Sequence, residues 1–160
     1  MIEILRGDCL QVLPTRTERF PVVILDPPFN VGLDYDGYED RREDGEYWEW
    51  LRTALKMLYQ LMTDQATLYC FHSDRGIYRL KEEAEKCGFL WKQTLIYYGV
   101  NGYRGMVRGA AHATWSYCYE IFCRFDKGTH GCPPANKPPW FQAVLPCVRP
   151  QSNTRQGRSH

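Results

Sequence analysis

Val22-Val23-Ile24-Leu25 is an unbroken run of branched apolar residues that leads straight into Asp26-Pro27-Pro28-Phe29. Continuous rather than alternating apolarity is the pattern of a strand covered on both faces, as in a parallel sheet. The two prolines stop it, because each fixes its own φ and removes a ladder donor. A chain containing such a strand must place further strands beside it and helices over it, which points to an α/β fold.

The rest of the sequence supplies those elements. Met1 to Asp8, with Ile2 and Ile4 alternating against Glu3 before Gly7-Asp8, predicts a short opening strand. Tyr47, Leu51, Ala54, Leu55, Leu58, Leu61 and Met62 recur at helical spacing behind the acids Glu43, Asp44 and Glu46, which suit a helix N-terminus. Ala66 to Phe71 predicts a third strand. Ser73-Asp74 is placed to cap a helix carrying Ile77, Leu80, Ala84 and Cys87 on one face, with Gly88 ending it. Leu90 to Tyr98 and Trp115 to Phe125 read as further strands, separated by a glycine-rich loop from Gly99 to Gly109. Strands alternating with helices predict a mainly parallel sheet with right-handed crossovers over residues 1–127. Beyond it, Pro133-Pro134 and Pro138-Pro139 make 128–160 an irregular segment.

With 160 residues, 44% of them hydrophobic, the chain is long enough for one core and not for two. It has no apolar run of membrane-spanning length, and its start lacks the basic and long apolar parts of a signal peptide, so a cytoplasmic protein is expected. The seven cysteines are then reduced thiols. Cys123, His130, Cys132 and Cys147 lack a tight Cys-x-x-Cys knuckle, and no metal is expected. The net charge of +1 is uninformative, but no acid follows Asp126, whereas Lys127, Lys137, Arg149, Arg155 and Arg158 are basic. That stretch suits either a phosphate-tracking segment or a solvated tail.

Ligands of open α/β sheets bind at the carboxyl ends of strands, where Asp26 lies. Asp-Pro-Pro also serves simply as a strand terminator, and Asp8 after a glycine as a turn residue. The chemical reading starts from the exocyclic amine of a nucleobase, whose lone pair is delocalised into the ring. A carboxylate at Asp26 accepts one N–H and the Pro27 carbonyl the other, with the proline rings holding both acceptors rigid. Phe29 offers a face for an extruded base. Such a transfer needs no covalent intermediate, unlike methylation of cytosine carbon 5, and the one thiol that invites comparison, Cys147 after Pro146, lies in the irregular segment.

Arg6-Gly7-Asp8-Cys9-Leu10, then Val23 to Gly32, Asp34-Tyr35, the Tyr47-Trp48-Glu49-Trp50-Leu51 helix and Tyr119-Glu120-Ile121-Phe122 occur in this order. Together they resemble the β-permuted class of DNA amino-methyltransferases, bacterial and phage enzymes of the restriction-modification kind that act on adenine N6 or cytosine N4. The resemblance implies a Rossmann-like sheet in circularly permuted order, S-adenosylmethionine as cofactor and DNA as partner. It further implies Asp26, Pro27, Pro28 and Phe29 as catalytic residues and Asp8, Cys9 and Asp26 as cofactor contacts; an aspartate with an aromatic fourth residue leans toward adenine. Asp74 is then a helix cap, His72 a packed or surface histidine, and Tyr47, Trp48 and Trp50 helix-face packing. The family's later His-Pro-Thr-Gln-Lys-Pro segment and its glycine-rich Asp-Pro-Phe-x-Gly-Ser-Gly loop are missing, and the closing Arg155 to His160 looks like the approach to the first. The resemblance therefore implies an incomplete catalytic domain over 1–127: a fragment, a truncated form, or a half completed by another polypeptide or by oligomerisation. The alternative is a non-catalytic nucleic-acid-binding module.

Overall fold

A computed structural model describes residues 2–35, 38–98 and 119–128. It contains α1 (Cys9–Val12), a 3-10 turn (Leu13–Thr15), β1 (Phe20–Leu25), β2 (Asp34–Tyr35), β3 (Tyr38–Glu39), α2 (Asp44–Leu61), β4 (Met62–His72), α3 (Ile77–Lys86), β5 (Leu90–Tyr98) and β6 (Tyr119–Lys127). The main sheet runs β1-β4-β6-β5, and β2 and β3 form a separate antiparallel pair.

The expected α/β class holds, with two changes to the sheet. β1 pairs with β4 in parallel, but β6 runs antiparallel to both β4 and β5, so one of the main sheet's three described pairings is parallel. An apolar run does not encode strand direction. Residues 2–8 form no strand: Ile2 and Ile4 are 91% and 89% exposed, and Asp8 instead caps α1. Their alternation suits a strand, but no described strand lies beside them.

The core occupies one face of the sheet. Ala66, Leu68 and Cys70 of β4 and Cys123 and Phe125 of β6 lie on that face, where α2 contributes Leu51 and Leu55 and α3 contributes Leu80 and Ala84. Val23 and Leu25 of β1 pack against the same cluster. Val22 and Ile24 point the other way and are exposed, Ile24 by 60%, so the two-face burial expected of this strand is not found. α2 and α3 pack on the opposite face, the one that Val23 and Leu25 meet, and an apolar run does not by itself supply a cover for the second face.

Local chemistry explains the helix ends. α2 begins with Asp44 and Glu46 in its first turn, and at its other end the Lys127 ammonium donates to the carbonyls of Tyr59 and Met62 at 2.8 and 3.0 Å. α3 starts later than Ser73-Asp74 would set it. Ser73 to Gly76 first forms a turn, with Gly76 N–H meeting the Ser73 carbonyl, and Gly76 is the N-cap. Asp74 accepts from the Arg75 N–H instead of capping the helix. Gly88 ends α3 at φ 97°, as expected of a helix-terminating glycine. No helix among the described residues is long and apolar enough to cross a membrane. Residues 99–118 and 129–160, and with them the glycine-rich loop, the proline-rich segment and its arginines, lie outside the described residues.

Candidate active site

Asp26-Pro27-Pro28-Phe29 leaves the carboxyl end of β1. Leu25 is in register with Cys70, so the turn lies level with the end of β4 at His72. Asp26 is exposed and Pro27 buried, while Pro28 and Phe29 are half-buried. Among the described residues no donor reaches the Pro27 carbonyl, whereas the Pro28 carbonyl accepts from the Tyr47 hydroxyl at 2.8 Å.

The loop that follows is clamped by one carboxylate. Asp40 is 2% exposed and accepts from the backbone N–H groups of Asn30 (2.8 Å), Val31 (3.1 Å) and Leu33 (3.2 Å). Its own carbonyl accepts from Gly32. Asn30 takes φ 57°, a left-handed conformation that asparagine tolerates, and its amide exchanges hydrogen bonds with the backbone of Arg42 in both directions. Sequence reading missed Asp40. The only available signal was one acid among several in a turn-rich stretch, beside Glu39 and near Asp34 and Asp36, which does not distinguish a clamp from a surface residue.

Behind the turn sits His72, 3% exposed and flanked by two rings. Phe29 stacks on it with centroids 5.3 Å apart, and Trp48 stacks on it at 5.1 Å. Nδ1 accepts from the Ser73 N–H at 2.8 Å, which places the ring proton on Nε2, 2.9 Å from the Tyr47 hydroxyl. Burial pushes the His72 pKa down to about 4, so the ring is neutral at physiological pH. His72, Tyr47 and Trp48 are thus packing residues, as expected, and the packing is against the turn itself.

The other candidate residues sit differently. Asp8 is exposed, and one of its carboxylate oxygens accepts from Leu10 N–H at 2.9 Å, while Cys9 is half-buried. They open α1, which packs against α2. All four described cysteines are free thiols, and burial raises the pKa of each, the opposite of an activated thiolate. No metal-binding cluster occurs among the described residues. A depression lined by Arg19, Tyr59, Gln60, Thr63 and Lys127 lies at the opposite end of the sheet from the turn and uses none of the candidate residues.

No curated protein matches the chain significantly. Of the solved structures, M1.HpyAVI superposes with a TM-score of 0.58 and 20% identity, over 80% of this chain and 56% of its own. The M1.HpyAVI–SAM complex gives 0.57 and 20%, over 81% and 55%. TTHA0409 from Thermus thermophilus gives 0.52 and 16%, over 81% and 56%. At these identities the likeness is one of fold, and the chain spans about half the length of the structures it matches. The model of the N6/N4 methyltransferase family, described as DNA methylase, matches residues 20–125, a span that runs from β1 through the Asp-Pro-Pro-Phe turn into β6. The chain belongs to this DNA methylase family.

Proposed function

We propose that this chain is the base-amine-binding part of an S-adenosylmethionine-dependent DNA methyltransferase, acting on adenine N6 in preference to cytosine N4. The carrying observation is the turn at the end of β1, with Asp26 exposed, Pro28 tied to Tyr47 and Phe29 backed by a buried ring. On this reading Asp26 accepts one amine N–H and the Pro27 carbonyl the other, drawing the nitrogen toward a tetrahedral shape. Phe29 stacks on the flipped base, and Asp26, open to water, passes the surplus amine proton to solvent.

The cofactor, when bound, supplies an activated sulfonium methyl. The residues present fit part of it. Asp8 keeps one carboxylate oxygen without a described donor, suited to an adenine amine, and Cys9 N–H and Asp26 complete the proposed contacts. Nothing in the sequence offers the glycine-rich turn that would hold the methionine portion. The outer edge of β1, which pairs with no strand among the described residues, is where completing strands would join, whether from a longer chain, a second polypeptide or another copy. We accordingly expect calorimetric titration of the isolated chain with S-adenosylmethionine to show weak or no binding, and micromolar affinity would overturn that partition.

The function itself is tested in the completed enzyme. Asp26→Ala should abolish methyl transfer and leave DNA affinity within about twofold, as expected for a group used chiefly in the transition state. Unchanged transfer, with Arg149, Arg155 and Arg158 controlling DNA binding, would favour the non-catalytic binding module instead.

A further inference from the structure

The geometry behind the turn carries more than packing. In Asp26-Pro27-Pro28-Phe29 the proline rings lock φ at positions 27 and 28. A residue preceding a proline is confined to extended ψ, which also fixes ψ of Pro27. ψ of Pro28 is then the one soft backbone torsion within the Pro-Pro pair, and it sets the direction of Phe29 relative to Asp26 and the Pro27 carbonyl. That torsion is the one the Tyr47 hydroxyl holds, by donating to the Pro28 carbonyl at 2.8 Å. The Tyr47 oxygen accepts in turn from His72 Nε2 at 2.9 Å, and Ser73 N–H on Nδ1 keeps the imidazole in the tautomer that can donate. The same imidazole stacks on Phe29, its ring plane within 21° of parallel, and on Trp48 within 12°. The Arg79 guanidinium closes the stack over Trp48 at 5.0 Å.

We infer that Tyr47 and His72 are positioning residues of the methyl-transfer site: together they set the backbone direction after Pro28 and the plane of the Phe29 ring, and so fix where a base stacks relative to its two amine acceptors. The inference rests on the methyltransferase reading above. Gly76 belongs to the arrangement, because a Cβ there would lie 2.0 Å from His72 Cε1 and displace the ring. The low pKa of His72 suits the role, since a neutral ring keeps one donor and one acceptor.

The test has one arm that needs no activity. Pro28-Phe29 is the only Pro-Phe step in the sequence, so the full chain labelled with carbonyl-13C proline and 15N phenylalanine gives a single carbonyl–amide correlation from this bond. Tyr47→Phe, which removes the hydroxyl alone, should shift that carbonyl resonance, and an unmoved signal would overturn the proposal. In the second arm, Tyr47→Phe in the completed enzyme should lower kcat by ~10–100-fold with KM for DNA within about twofold, as expected of misplaced groups. Leu58→Ala, three turns further along α2 in the core, is the control for stability loss. A kcat for Tyr47→Phe no lower than for Leu58→Ala would reduce Tyr47 to a structural residue and overturn the inference. Asp26→Ala, run alongside, separates the two readings. Lost transfer there with intact Tyr47→Phe sinks the relay alone, and intact transfer in Asp26→Ala sinks the methyltransferase assignment beneath it.

Discussion

The Asp26–Phe29 turn and the Asp8–Cys9 segment are built in opposite ways. The turn is held from three directions: Tyr47 on its backbone, His72 on its ring, and Asp40 on the loop behind it through three backbone N–H groups. The Asp8 carboxylate accepts one local hydrogen bond, from Leu10 N–H, and the residues before it are exposed. A site whose acceptors must meet an amine at a fixed angle gains from groups already in place, because fixing them during the reaction would add to the barrier. On the proposed reading, the difference teaches that the chain carries its amine-side geometry ready-made, while the cofactor side waits on contacts the described residues do not supply.

The contrast is tested most severely at Asp40. Asp40→Ala leaves three backbone donors without their carboxylate in a buried place, and should cost about 3 kcal/mol or more in urea unfolding. Asp40→Asn keeps one acceptor oxygen, which by rotation serves the Val31 and Leu33 pair, and should cost less. A loss below about 1 kcal/mol for Asp40→Ala, of the size typical for surface changes, would mean that the loop is not held as described.

His72 gives the next effect, through pH. Its pKa is lowered from 6.5 to about 4 by burial, so below pH 6.5 the unfolded chain binds a proton that the folded chain refuses. The contribution of the neutral ring is complete above pH 6.5, declines as pH falls, and is gone by about pH 4, a change of about 3 kcal/mol at roughly 1.4 kcal/mol per unit. Unfolding free energies measured across this window should therefore fall more steeply in the native chain than in His72→Gln, which does not titrate. Equal slopes would place His72 in water, away from the stack.

These residues also mark how far the sequence could be read. α2, β4 and β6 follow from apolar spacing because each presents a regular face to the core, as Leu51, Leu55 and Leu58 do on α2, although β4 begins at Met62 and not at Ala66; β5 follows from its apolar content, with Leu90, Trp91, Ile96 and Tyr97 exposed. The Asp-Pro-Pro-Phe turn was legible because its chemistry is contiguous. Its supports were not. Asp40 reaches the turn through a loop, and His72 meets Phe29 only because Leu25 pairs with Cys70, a register that no local pattern encodes. The run Val22 to Leu25 was read as covered on both sides because apolarity reports what a strand is suited to. Ile24 at 60% exposure shows that what covers it is a separate matter. The same logic explains Ile2 and Ile4, whose alternation is strand-like although no described strand lies beside them.

The smallest effect falls on the other side of the comparison. Asp8→Ala removes the N-cap of a four-residue helix at an exposed position, where such a loss costs about 1 kcal/mol or less. α1 lacks buried residues of its own, so its fraying would not propagate into the core, and the urea midpoint of the chain should barely move. If Asp8 is a cofactor contact, the loss appears instead as weaker S-adenosylmethionine binding in the completed enzyme, at a folding stability close to the native one. A destabilisation by Asp8→Ala approaching that of Asp40→Ala would erase the distinction between a braced turn and a lightly tethered segment, because the two would then be held by comparable forces.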